Sequence, residues 1–367
     1  MFENPPLGYI QPLAVRPRVS QPQPRGLPVI NLGFNELPYP PSPSVLAAIQ
    51  SATTHANSYG NPSCERLRTA ISDTYQLDPN RIVCGNGSEE ILDIIGRCFA
   101  SKGDDIVISE YGYILFSIVA NRVGAQLIKA KEQNFTTQID NVLAAVTDKT
   151  RIVFIANPNN PTGSMVSDIE LRRLAKALSP QTILVLDLAY GEFASDSYNA
   201  SVHNLVSEFN HVVITQTFSK AYGLAGLRVG WCYAPEWMIP ILYAARGMGT
   251  VNAAAQAGAI AALDDRHTML ALVNTIVAEK KRVAESISSM GFEVISSHTN
   301  FLLVAPSSSN SDVADKLASH LFEHAGFVVN QTREAGLERF IRFSLSLPEH
   351  NTAFVNSVKK FYITHQL

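Results

Sequence analysis

Between residue 45 and about residue 235, short apolar runs alternate with amphipathic stretches, and this alternation confines the chain to a small set of folds. Ile82-Val83-Cys84 and the runs at 105–109, 151–156, 182–186, 212–216 and 227–233 read as buried strands bounded by turn residues. The stretches 89–99 and 168–178 carry helical spacing. Strands separated by helices cannot pair as tight hairpins, so they are expected to line up in a mostly parallel sheet with helices on both faces. The expected fold class is α/β.

A polar cluster follows several of these runs at the carboxyl end, the edge where open α/β sheets bind ligands. Gly85-Asn86-Gly87-Ser88-Glu89-Glu90 follows the first run, Asn157-Pro158-Asn159-Asn160-Pro161-Thr162-Gly163 the third, and Asp187-Leu188-Ala189-Tyr190 the fourth. After residue 216 comes Thr217-Phe218-Ser219-Lys220, with Arg228 eight positions beyond the lysine. Gly87 and Ser88 leave backbone N–H groups free where a helix begins, which makes an anion site. Taken singly, Lys220 reads equally as a solvated turn residue, Asp187 as a helix cap, Tyr190 as a packing residue and Asn160 as turn chemistry. Together they offer an amine for a Schiff base, with Thr217, Ser219 and Arg228 as donors for a phosphate-bearing cofactor.

With 367 residues and 46% hydrophobic content, the chain can bury a full core and carry more than one domain. Its net charge of −3 gives no electrostatic reason to expect nucleic acid or an anionic membrane, so the partner should be a small molecule. No apolar run reaches bilayer-spanning length and Met1-Phe2-Glu3-Asn4-Pro5-Pro6 lacks the layout of a secretion signal, so a cytoplasmic location is expected. Cys64, Cys84, Cys98 and Cys232 are scattered, suggesting neither a metal site nor a disulfide framework. Residues 1–30 are proline-rich, including Gln21-Pro22-Gln23-Pro24, and read as an N-terminal arm carrying Arg16, Arg18 and Arg25. A large domain is expected over 31–250. A smaller α+β domain is expected over 251–367, with strands at 301–304 and 340–345 flanking a helix at 312–324.

These clusters, with Asn35-Glu36-Leu37-Pro38-Tyr39-Pro40, Ser58-Tyr59-Gly60-Asn61, Tyr111-Gly112-Tyr113 and Arg342-Phe343-Ser344, make the chain resemble the fold-type I pyridoxal-phosphate enzymes. Within that group it is similar to the histidinol-phosphate branch of the class I/II aminotransferases, almost end to end. The resemblance implies a homodimer with an active site between domains and subunits, and an arm packed on the small domain. It implies a Schiff base at Lys220, which also moves the substrate α-proton, and a pairing of Asp187 with the pyridinium nitrogen. Tyr190 and Asn160 would face the phenolic oxygen, and Tyr113 would stack on the ring. Gly87, Ser88, Thr217, Ser219 and Arg228, with Tyr59 from the partner subunit, would hold the phosphate. Arg342 would clamp the substrate carboxylate, with Gly33 and Asn35 beside it, a task suited to a planar bidentate donor.

The chain departs from that branch at its substrate-phosphate segment. Gly326-Phe327-Val328-Val329-Asn330 ends in asparagine where the family carries a basic residue, leaving Arg333 or an arm arginine to compensate. Cofactor handling is therefore expected to be intact and substrate handling rewritten. The expected activity is transamination between an amino acid and a 2-oxo acid. The alternative on the same cofactor is a lyase, decarboxylase or cyclodehydratase, for example one closing a guanidino amino acid into a ring.

Overall fold

The computed structural model describes residues 26–306 and 312–365. Arg16, Arg18 and Arg25 lie outside the described residues. The central sheet has seven strands in the order Ile82–Gly85, Gly230–Tyr233, Val212–Thr217, Ile183–Asp187, Thr150–Ala156, Asp105–Ser109 and Gln126–Ala130. All neighbours run parallel except Gly230–Tyr233, which is antiparallel to the strand on either side. Alternate side chains feed two cores. Ile106, Ile108, Ile152, Phe154, Val185 and Val213 pack with the helices Ser88–Phe99 and Ile114–Val123 on one face. Val107, Val153, Ile155, Leu184, Leu186 and Ile214 pack with Asp168–Ala177 and Asp196–Glu208 on the other. Burial on both faces is why these runs are apolar without alternation.

The last strand starts at Gly230 rather than at 227, because residues 225–227 form a short 3-10 turn and Arg228 takes a left-handed backbone with φ of 54°. That turn carries the Arg228 side chain back to the sheet edge.

The second sheet runs Glu293–Val294, Phe301–Ala305, Ile341–Ser344, Asn330–Gln331, all antiparallel. Leu302, Val304, Ile341 and Phe343 join the main core, while Leu303, Ala305 and Phe340 face Tyr111 and Phe135 from the first half of the chain. Ile30–Asn31 pairs in parallel with Phe327–Val328, so the chain enters beside this sheet and crosses to the large one at residues 33–35. The helix Ala253–Asp264 packs on Pro43–Thr53 and Glu65–Tyr75, whereas Arg266–Ser288 reaches the second sheet.

Candidate active site

Lys220 lies in the turn that follows the strand Val212–Thr217. Its Nζ donates to the carbonyl oxygens of Phe34 at 3.3 Å and Asn35 at 3.4 Å, and sits 5.8 Å from the Tyr190 ring centre. Burial, helped by the Arg342 guanidinium, pushes the amine down to about 8, so part of it is neutral and nucleophilic near neutral pH.

Asp187 ends the strand Ile183–Asp187 and is buried. Its Oδ1 accepts a hydrogen bond from the Thr215 hydroxyl at 2.8 Å, the residue directly opposite on the next strand. Burial pushes the carboxyl up to about 6, against the pull of Thr215. Tyr190 follows in the next turn, where its hydroxyl accepts from the Asn35 side-chain amide at 2.8 Å. Burial raises this phenol to about 12, and Arg342 opposes the rise.

At the other end of the cleft, Thr217 donates to the Ser219 hydroxyl at 3.0 Å, and Arg228 Nη1 donates to the same hydroxyl at 3.3 Å. Gly87, with φ of 80°, opens the helix Ser88–Phe99. A Cβ at Gly87 would stand 2.6 Å from Arg228 Nη2, and one at Gly230 would stand 2.4 Å from the Ser88 nitrogen. Only glycine lets the guanidinium and the antiparallel strand come this close to the helix start. Tyr113 lines the same cleft, with its hydroxyl donating to Glu89 at 2.7 Å.

Arg342 approaches from the second sheet, almost wholly buried. It donates to Asn160 Oδ1 and, at 2.8 Å, to the Gly33 carbonyl, while its Nε has no partner. Asn35, in a left-handed conformation with φ of 56°, links Tyr190 to the Ser344 hydroxyl, and its carbonyl accepts from Asn300 at 3.2 Å. The structure thus brings together Gly87, Ser88, Tyr113, Asn160, Asp187, Tyr190, Thr217, Ser219, Lys220, Arg228, Arg342, Gly33 and Asn35. Tyr59 is fully exposed, away from this cleft in its own chain. Asn330 lies directly across the ladder from Arg342. Arg333 pairs with Asp315 at 2.9 Å, an exposed contact outside the residues that line this cleft.

Three residues escaped the sequence reading. Glu89 sits in the cleft beside Arg228, Thr215 orients Asp187, and Asn300 holds the turn at Asn35. A threonine two positions before Thr217 on one strand face was the available signal for Thr215; Asn300 gave none.

The residues fit pyridoxal 5'-phosphate on their own chemistry. Asp187 is a buried carboxylate with no ion pair among the described residues, facing the same space as a part-neutral lysine. Across that space, a glycine-tailored helix start meets an arginine and two hydroxyls. Among the described residues no cluster of metal-ligating side chains occurs, and no helix is long and apolar enough to cross a membrane.

The family model for "Aminotransferase class I and II" matches residues 28–357. Curated relatives include histidinol-phosphate aminotransferases from Rhodopseudomonas palustris (strain BisA53), 35% identical over 94% of this chain and 93% of the relative, and from Jannaschia sp. (strain CCS1), 36% identical over 90% of each. Among solved structures, histidinol-phosphate aminotransferase from Sinorhizobium meliloti, in complex with pyridoxal-5'-phosphate, superposes with a TM-score of 0.87 at 27% identity, covering 93% of this chain and 92% of that one.

Proposed function

The chain belongs to the class I and II aminotransferases, pyridoxal-phosphate enzymes, and from that premise we propose that its amino donor is an amino acid held through its α-carboxylate by Arg342. The observation that carries this reading is the state of Arg342. Its guanidinium is buried, bonded only to neutral oxygens, and has an unpartnered Nε, so an incoming carboxylate gains a charge-assisted pair there.

Bound pyridoxal 5'-phosphate supplies electron withdrawal from the donor's Cα. Lys220 would hold the cofactor through its amine, and once the donor's amino group had displaced it, that amine would stand beside Cα, where it could take up the α-proton and return it. Asp187 would keep a proton on the ring nitrogen, and the Thr215 hydroxyl holds the carboxylate in position for that contact. Tyr190 and Asn160 address the phenolic oxygen; because Asn160 gives its Oδ1 to Arg342, its Nδ2 is left for that oxygen. Tyr113 covers the ring. Gly87, Ser88, Thr217, Ser219 and Arg228 would hold the phosphate, and the exposed Tyr59 would be free to reach the phosphate of a second copy in a homodimer.

The neutral Asn330 beside Arg342, with Arg333 held by Asp315, favours a basic or aromatic amino acid over a donor bearing a phosphate. Absorbance of the purified protein tests this against glutamate, aromatic amino acids, arginine-like amino acids and histidinol phosphate, which has no carboxylate. Loss of the lysine-bound cofactor band with a carboxylate donor, restored by a 2-oxo acid, is the expected result. A response to histidinol phosphate alone overturns the substrate reading. A decarboxylated, dehydrated or cyclised product overturns transamination.

A further inference from the structure

Among the described residues, Glu89 is the one acidic side chain lining the cleft that the proposed chemistry does not use. It is the second residue of the helix Ser88–Phe99, at the end that attracts anions. One carboxylate oxygen accepts from the Tyr113 hydroxyl at 2.7 Å, and the other sits 3.2 Å from Arg228 Nη2. Arg228 has little freedom to avoid this pairing. Its backbone is left-handed, its Nη1 is spent on Ser219 and the Ala225 carbonyl, and its Nη2 lies against Gly87. The nitrogen that faces the helix start is the one Glu89 occupies.

We infer that Glu89 is an internal stand-in for the cofactor phosphate: it occupies Arg228 until the phosphate displaces it, and so sets how tightly the cofactor is held. The inference rests on the cofactor reading above. Two anions cannot share one guanidinium at the same helix start without repulsion, so an incoming phosphate must take Nη2 from the carboxylate. Glu89 keeps its contact with Tyr113 through the exchange, because that bond uses the other oxygen. The residue therefore holds both the empty site's arginine and the ring-covering tyrosine in place, at a cost to cofactor affinity.

Glu89→Gln tests this, since glutamine still accepts from Tyr113 but carries no charge. The full chain, stripped of cofactor, is titrated with pyridoxal 5'-phosphate and separately with pyridoxal, which lacks the phosphate, and the lysine-bound absorbance band is followed. The expected result is a roughly three- to tenfold tighter hold on pyridoxal 5'-phosphate in E89Q, the charge effect being reduced by solvent, with affinity for pyridoxal unchanged. Equal or weaker binding of pyridoxal 5'-phosphate by E89Q overturns the inference, as does an equal gain for pyridoxal, which would place the charge effect at Lys220 or the ring. Should E89Q fail to fold, Glu89→Ala is read by the ratio of the two affinities, because loss of the Tyr113 contact weakens both ligands alike whereas loss of the charge favours pyridoxal 5'-phosphate alone; an unchanged ratio overturns the inference. A wild-type chain that develops no such band, or a Lys220→Ala variant that keeps it, instead sinks the cofactor reading.

Discussion

Around Lys220 nearly every polar group, Asn160 included, hangs from the carboxyl edge of one seven-stranded sheet, whereas at the far end Arg342 and Gly33 reach the cleft from two separate segments of chain. The first arrangement fixes positions through continuous backbone ladders. Asp187 faces Thr215 because their strands are in register, and Arg228 meets Gly87 because two glycines remove the side chains between them. The second depends on groups meeting across a crossing, where Asn330 stands opposite Arg342 on a strand of only two residues.

The most severe challenge to this contrast is Lys220→Ala, for which we expect kcat to fall by at least about 10⁴-fold with loss of the lysine-bound absorbance band. A variant retaining a hundredth of the activity would mean that the sheet edge does not hold the essential amine. Asp187→Asn should lower kcat by roughly 10³-fold, because a neutral amide cannot keep the ring nitrogen protonated. The same substitution should stabilise the cofactor-free protein. Burial raises the Asp187 carboxyl from 3.8 to about 6, so the native state favours the acid form; its contribution is full below pH 3.8 and is lost as pH rises through about 6. Above that pH, cofactor-free D187N should exceed wild type by up to ~3 kcal/mol in thermal or denaturant unfolding, a gap that closes toward pH 4.

Gly87→Ala places a methyl group against Arg228 and strains a positive φ, and it should weaken cofactor binding by about a hundredfold in equilibrium titration. Arg342→Lys tests the other end of the cleft. The KM for the amino donor should rise some 10- to 100-fold, the equivalent of ~1.5–3 kcal/mol, with cofactor affinity within about twofold of wild type. If cofactor affinity fell in parallel, the two ends would not be separable. Asn330→Arg is the mildest probe: kcat/KM for a phosphate-bearing donor should rise roughly tenfold, while turnover of the natural donor changes little.

The same division explains what could be read in the residue string. Strands buried on both faces are written as uninterrupted apolar runs, and the polar residues that follow them are adjacent in sequence to what positions them, so Lys220, Asp187, Tyr190 and Gly87 could be picked out directly. The arginine turn was harder. Nothing local announces that residues 225–228 leave the strand and that Arg228 adopts a left-handed backbone. Arg333 shows the limit at the substrate end. Its partner, Asp315, is on a helix whose packing only the tertiary fold decides. Glu89 is visible in the string only as one residue of a polar cluster, because its meeting with Arg228 spans 139 residues.

The pairing of Ile30–Asn31 with Phe327–Val328 has a consequence for redesign. Leu32 is bonded to Val328 and to Ser344, and Gly33 to Arg342, so the start of the described chain and the second sheet are stitched into one piece before Asn35 turns toward Tyr190. A specificity transplant from another aminotransferase therefore has two discontinuous parts, residues 26–35 and 293–346, to be exchanged as a single cassette. Moving the C-terminal part alone would leave its edge strand facing a foreign companion, and the Gly33 carbonyl that steadies the arginine would belong to the wrong donor.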